Sequence, residues 1–366
     1  MTTPALVYSP GLWLLAWRRL HTDRLAMASL AVVAAYLVLI ALSGSGLIAA
    51  DWDREVGANY APPSFVGAST DAAKPEAARE DDAVVENPLD PLNDVLRELR
   101  AKRGDAPVVD DYGIVDPIGP EIAKLRAQLA KEGKGVVAVR LPTLPFGADK
   151  WGHDIVKKTV KGSETSIVVG LVAAFLATLI GTVLGALAGY FGRAVDDFFN
   201  WFYSVFTAVP NLLLIMAVAA VLQHKGVATI VLILALTGWT GTFRLVRAEY
   251  IKHKSREYVM AADAIGASHW RRMFTHIFPN VSHVALVQMS ILSVGFIKYE
   301  VILSFLGFGV PVGVVSWGSM LNEARNELIL GRWWQLAAAS IAMAVLVTAF
   351  SLFTDALRDA LDPKLK

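Results

Sequence analysis

The stretch SIVVGLVAAFLATLIGTVLGALAGYF, Ser166–Phe191, runs for 26 positions without a charged residue. A bilayer core takes roughly 20 apolar residues as helix, within a range of about 17–25. The stretch is therefore read as a membrane span. Three further runs share the property: Leu25–Ala50, Val227–Phe243 and Trp333–Thr354. The whole chain of 366 residues is 55% hydrophobic and 18% charged, with a mean hydropathy of +0.47. Soluble domains sit near about 45–50% apolar and about 25% charged. The fold class that follows is an all-α polytopic membrane protein.

Six transmembrane helices are expected, at about 26–48, 165–190, 200–222, 227–245, 283–306 and 334–356. Only Gln223–Gly226 separates the third from the fourth, which makes them a tight hairpin. The first is too long for the apolar core of a signal peptide and is read as a retained span. Its flanks divide the chain into an N-terminal tail 1–25, the span 26–48, an insert 49–164, a five-helix core 165–356 and a C-terminal tail 357–366. The core includes a loop at 246–282.

Basic residues on short flanking loops mark the cytoplasmic side. Arg18, Arg19 and Arg24 precede the first span, and Arg244, Arg247, Lys252, Lys254, Arg256, Arg271 and Arg272 lie between the fourth and fifth. Six spans put both regions, and the tail with Arg358, Lys364 and Lys366, on one side. Both termini and the 246–282 loop are thus expected in the cytoplasm. Residues 50–164 are expected outside; they hold 21 acidic and 16 basic residues. Two short helices are read within them, over Asp90–Gly104 and Pro120–Gly133, from Pro at the first helical position and Gly at the end. Residues 61–85 read as flexible linker.

Several classes of chemistry find no support. There is no cysteine, hence no disulfide or thiolate site. The seven histidines show no metal-binding spacing, and Pro279 is expected to break the helix between His276 and His283. No P-loop is present, so no nucleotide cofactor is expected on this chain. A net charge of +1 predicts no nucleic-acid surface. The insert offers no nucleophile–base or metal constellation, so no catalytic residue is expected and the chain is not read as an enzyme.

Three features remain. Gly181, Gly185 and Gly189 form a doubled GxxxG, which lets helix backbones approach closely in lipid and serves helix packing in a bundle or a dimer. Lys298 and Glu300 are the only charges well inside a span, where such groups face a pathway, a partner or an interface. Two residues apart on a helix, they do not face each other. The third is EYVMAADAIGASHWRRMFTHIFPN, Glu257–Asn280. It reads as two short helices, the first broken by Gly266, the second running from Ser268 to Ile277 and ended by Pro279. Tyr258, Met260, Ile265 and Trp270 give the projection an apolar tip, with Arg271 and Arg272 beside it. It is either a helix lying on lipid or a docking element for a cytoplasmic partner.

This segment resembles the EAA loop of binding-protein-dependent ABC importer permeases. Ala261, Ala262, Gly266 and Pro279 fall at that motif's spacing, with Met260 in place of its Glu and His276 at a position usually Ile. FGADKWGHD (146–154), GALAGYFGRAVDD (185–197), GWTGTFRLVRAEY (238–250), LSFLGFGVPVG (303–313), SWGSML (316–321) and DALRDALDPKLK (355–366) resemble, in order, blocks of the C-type subunit of the dipeptide, oligopeptide and nickel permeases. Glu164 and His153 stand where that subfamily usually has Arg, and the insert is longer than is typical.

The resemblance implies a type I ABC importer permease fold with no catalytic site. It implies pairing with a second, B-type permease subunit, two cytoplasmic ATPase subunits that bind ATP and Mg, and an extracytoplasmic substrate-binding protein. Tyr258, Met260, Ala261, Ala262, Gly266, Ala267, Ser268, Arg271 and Pro279 would couple the chain to an ATPase. Glu300 matches a Glu that the subfamily carries just before LSFLG. The cargo implied is a peptide or peptide-like solute. The competing reading is a homo-oligomeric channel whose pore uses the GxxxG span.

Overall fold

The computed structural model describes residues 12–67, 140–222, 226–311 and 313–361, with the single positions 124 and 224. The chain divides into two compact units, Met1–Arg54 with His153–Lys366, and Glu55–Gly152. The two helices expected within the insert lie, apart from the helical Lys124, outside the described residues.

The larger unit is helical. In chain order its helices are α1 (Leu12–Thr22), α2 (Arg24–Gly44), α3 (Ile155–Phe191), α4 (Arg193–Thr207), α5 (Asn211–Leu222), α6 (Val227–Gly238), α7 (Thr240–Lys254), α8 (Glu257–Ala264), α9 (His269–Arg271), α10 (Phe278–Phe305), α11 (Trp317–Ile329) and α12 (Trp334–Leu361). Four continuous segments are long and apolar enough to cross a membrane: α2, α3, α9 through α10 taken as one, and α12. Counting each of two bent pairs as one span brings the number to six.

The quoted stretch is the centre of the bundle. Helix α3 packs against α2, α6, α7, α10 and α12. It begins ten residues before the expected span, capped by Asp154, whose carboxylate takes the N–H of Val156 at 2.8 Å. Its charged first turns are held by pairs: Lys157 with Asp51 at 2.8 Å, Lys158 with Glu323 at 2.6 Å, and Lys161 with Glu164 at 2.8 Å. Polar residues thus extend a helix that hydropathy alone would start later.

The glycine face is filled within the chain by α7. A Cβ added at Gly181 would lie 2.6 Å from the carbonyl oxygen of Trp239, one at Gly185 2.7 Å from that of Phe243, and one at Gly189 2.6 Å from that of Arg247. The helices run backbone to backbone, as small residues at four-residue spacing permit. Beside this seam Phe202 of α4 stacks on Trp239 at 5.4 Å, and Tyr203 stacks on Phe243 at 5.6 Å. Arg247 grips Asp196 of α4 through two hydrogen bonds of 2.5 and 2.6 Å. Ala173, Ala177, Ile215, Leu234 and Phe296 form the core farther along α3.

Two expected spans are not single helices. The one at 200–222 is broken at 208–210, where α4 and α5 meet at 85°. Pro210 lacks an N–H and disfavours helical backbone at Val209, so the helix stops and restarts. The one at 227–245 bends by 42° between α6 and α7, beside Gly238, whose missing side chain makes room for the Phe296 ring.

The expected helix break at Pro279 is also corrected. Residues 269–305 run on as one helix, with a π-helical turn over Arg272–Ile277 in which the N–H of Phe278 bonds to the carbonyl of Met273. Pro279 follows directly on this π turn, and the local departure from the α-helical hydrogen-bond register lets the helix pass a residue that has no N–H to give.

The described part of the smaller unit is built on two isolated parallel bridges, Gly57 with Leu141 and Pro63 with Leu144. Ala61, Leu144 and Ala148 form its core, and Arg140 pairs with Glu55. The buried Asp149 takes the N–H of Trp151 at 2.8 Å, shaping the FGADKWG turn.

Candidate functional site

Helices α8 and α9, with the π turn, form an elbow at one end of the bundle. Helix α8 ends in a Schellman motif. Gly266 has φ +80°, its N–H bonds to the carbonyl of Asp263, and the N–H of Ala267 bonds to that of Ala262. Glycine adopts this conformation without the strain a side chain would bring. Ser268 then caps α9, its hydroxyl accepting the N–H of Arg271 at 3.4 Å.

The elbow is braced on the bundle rather than hanging free. Val259 of α8 and Met273 and Ile277 of the π turn are buried against Ala186, Tyr190, Val246 and Tyr250 of α3 and α7. The Tyr250 hydroxyl donates to the Met273 carbonyl at 3.2 Å, and Tyr190 pairs with His269 at 2.9 Å. Arg272 reaches back across the turn to Asp263 at 2.5 Å and contacts His269 at 3.0 Å. Tyr258 meets His253 at 2.8 Å, and burial raises the pKa of its hydroxyl.

Of the residues singled out in the sequence, the structure gathers Tyr258, Met260, Ala261, Gly266, Ser268 and Arg271 on the exposed side of the elbow. Ala262 is buried in its base and Ala267 half-buried in its turn. Pro279 is exposed at the start of α10. Met260, Ile265 (83% exposed) and Trp270 form the apolar tip, together with Phe274, which stacks on Trp270 at 5.6 Å. Phe274 is not among the residues the sequence singles out, although its i, i+4 spacing from Trp270 is the signal for a shared face. Arg272 is a correction: it is turned inward to brace the elbow, and only Arg271 lies exposed beside the tip.

Glu300 and Lys298 separate as the helix geometry requires. Lys298 is exposed, whereas Glu300 is fully buried and accepts hydrogen bonds from Ser166 of α3 at 2.6 Å and Ser304 at 2.7 Å. Ser166 also accepts the N–H of Trp317, the first residue of α11, at 3.1 Å. Glu300 is thus placed at a joint of α3, α10 and α11. Glu164 hydrogen-bonds with Ser43 at 2.9 Å, linking α3 to α2. Among the described residues there is no group of three or more metal-binding side chains.

Residues 181–366 match the family model described as binding-protein-dependent transport system inner membrane component. Residues 11–63 match the N-terminal TM domain of oligopeptide transport permease C. The chain is 36% identical over 221 residues to the dipeptide transport system permease protein DppC of Bacillus subtilis, covering 60% of this chain and 69% of the relative. It is 37% identical over 221 residues to the oligopeptide transport system permease protein OppC of the same organism, covering 60% and 72%. It is 32% identical over 219 residues to the peptidoglycan transport system permease protein YejE of Agrobacterium fabrum, covering 60% and 57%. An all-helical bundle with up to six spans, a braced elbow between its fourth and fifth, and these matches lead to one conclusion: the chain belongs to the binding-protein-dependent transport system inner membrane component family of ABC importer permeases.

Proposed function

We propose that this chain is the C-type permease subunit of an ATP-driven importer for peptides or peptide-like solutes, seated in the bacterial cytoplasmic membrane with both termini inside. It pairs with a B-type permease to enclose a pathway. Two cytoplasmic ATPase subunits, which carry the ATP and Mg, dock beneath, and an extracytoplasmic binding protein delivers the cargo. The elbow at 257–280 is the docking lever. ATP-driven closure of the ATPase pair moves it, and its bracing on α3 and α7 passes the motion to the spans. Such a lever switches a two-state element, here inward and outward access, by biasing it at one end.

The observation that carries this reading is the joining of an exposed apolar tip to a rigid base. Met260, Ile265, Trp270 and Phe274 offer a surface for a partner, while His269, bonded to Tyr190, and Met273, bonded to Tyr250, tie the same short segment to the bundle. Cargo chemistry is read from the relatives, whose names cite dipeptide, oligopeptide and peptidoglycan transport. The channel alternative loses its main support, because the face it assigned to a pore is occupied by α7.

Because the chain has no cysteine, single cysteines report cleanly. Ile265→Cys should cross-link to a partner ATPase of the assembled importer, and Gly266→Pro or Ala262→Glu should abolish ATP-driven uptake. Unchanged uptake in both variants, with no cross-link, would sink the lever.

A further inference from the structure

A groove of about 820 Å³ opens between the ends of α7, α10 and α12, next to the elbow. Its walls are apolar along Leu245, Val284, Val287 and Leu361, and its mouth is basic. Lys252 and His253 lie within hydrogen-bond or ion-pair range of Glu249, the one carboxylate among the groove's lining residues. Arg256, before α8, and Arg358, in the last turns of α12, both line the groove and are exposed. Neither guanidinium has a carboxylate partner among the described residues. His283 lines the same groove, and its Nδ1 is shielded from solvent without a hydrogen-bond partner.

Two unneutralised guanidiniums at the mouth of an apolar slot, beside the ends of membrane helices, match a ligand with an anionic head and an aliphatic tail. A planar guanidinium suits the oxygens of a phosphate. Basic pockets between spans on the cytoplasmic side bind anionic lipid headgroups. We propose that this groove holds one anionic phospholipid, its phosphate between Arg256 and Arg358 and an acyl chain along Leu245 and Val284. The lipid would join α12 to the base of the elbow. The assignment goes beyond the transport reading and does not depend on it, since binding is measured on this chain alone.

The test is native mass spectrometry of the full-length chain in detergent, titrated with phosphatidylglycerol, with phosphatidylcholine as the neutral control. The wild type should retain one phosphatidylglycerol and no phosphatidylcholine. Arg256→Gln with Arg358→Gln should weaken retention roughly 10- to 30-fold. Arg256→Lys with Arg358→Lys, which keeps the charges but not the planar fork, should weaken it less than the Gln pair. Arg358→Gln alone, a change at an exposed residue, gives a folded variant if the double change unfolds the chain, and it should show a partial loss. Inorganic phosphate at millimolar concentration should not displace the lipid; displacement would mean a site for a free anion and would overturn the lipid assignment. Equal retention by the wild type and Arg358→Gln would overturn it too.

Discussion

The Ser166 hydroxyl donates to the Glu300 carboxylate across 2.6 Å, between α3 and α10, where Glu300 is fully enclosed. Ser166 in turn receives the first N–H of α11, and Ser304 takes the other carboxylate oxygen. One acidic side chain therefore fixes three helices. An ionisable side chain buried in a membrane protein is tolerated when its hydrogen bonds are made, and removing it strands the donors that faced it.

From this we predict that Glu300→Ala destabilises the chain by roughly 2–4 kcal/mol, through a cavity and two unpaired hydroxyls. Glu300→Gln, close in shape and still able to accept, should lose less than half as much. Thermal unfolding of the purified chain in detergent measures both. An Ala variant as stable as the wild type would show that the joint holds without the carboxylate.

The seam between α3 and α7 makes an opposite, steric prediction. A methyl at Gly185 meets the Phe243 carbonyl oxygen at 2.7 Å, so Gly185→Ala should cost roughly 1–3 kcal/mol by prising backbones apart. Gly295 of α10 has nothing within 4 Å of an added Cβ, so Gly295→Ala should not destabilise and should gain up to about 1 kcal/mol from helix propensity. Melting temperatures of the two variants, compared side by side, separate close packing from a general intolerance of side chains.

Asp51 gives a pH dependence. The hydrogen bond from Lys157 holds its carboxyl below the usual carboxylate range. A depressed folded pKa contributes stability above the unfolded pKa, near 4, and loses it as pH falls through the folded value. The melting temperature of the wild type should exceed that of Asp51→Asn at pH 7 and fall toward it below about pH 4. A gap that widens on acidification would contradict the pairing.

What the sequence made legible follows the range of the interaction that decides it. Gly181, Gly185 and Gly189 announce a close helix contact by spacing alone, though not that α7 supplies the partner. Hydropathy finds the apolar mass of each span but not its continuity. The break at Pro210 and the continuity past Pro279 depend on backbone hydrogen bonds, and the π turn that carries the helix across Pro279 leaves no mark in hydropathy. Glu300 stands out as an intramembrane charge, yet its partner Ser166 lies 134 positions away and is a common residue. Arg272 reads as part of a basic tip because its neighbour Arg271 is; a turn set by Gly266 folds it back onto Asp263 instead.

That last contact yields a prediction specific to the elbow. Asp263 is well exposed, so its pair with Arg272 contributes little to global stability, under about 1 kcal/mol. It does close the loop between α8 and the π turn, while the buried contacts of Met273 and Ile277 hold the far side. Asp263→Ala should therefore leave the melting temperature nearly unchanged but speed amide hydrogen exchange severalfold across residues 257–268, most of which are exposed. Residues 273–281, anchored by Tyr250, should exchange as in the wild type. Uniform exchange across both segments would mean that the elbow is stiffened by its apolar base alone, and that Arg272 serves another purpose.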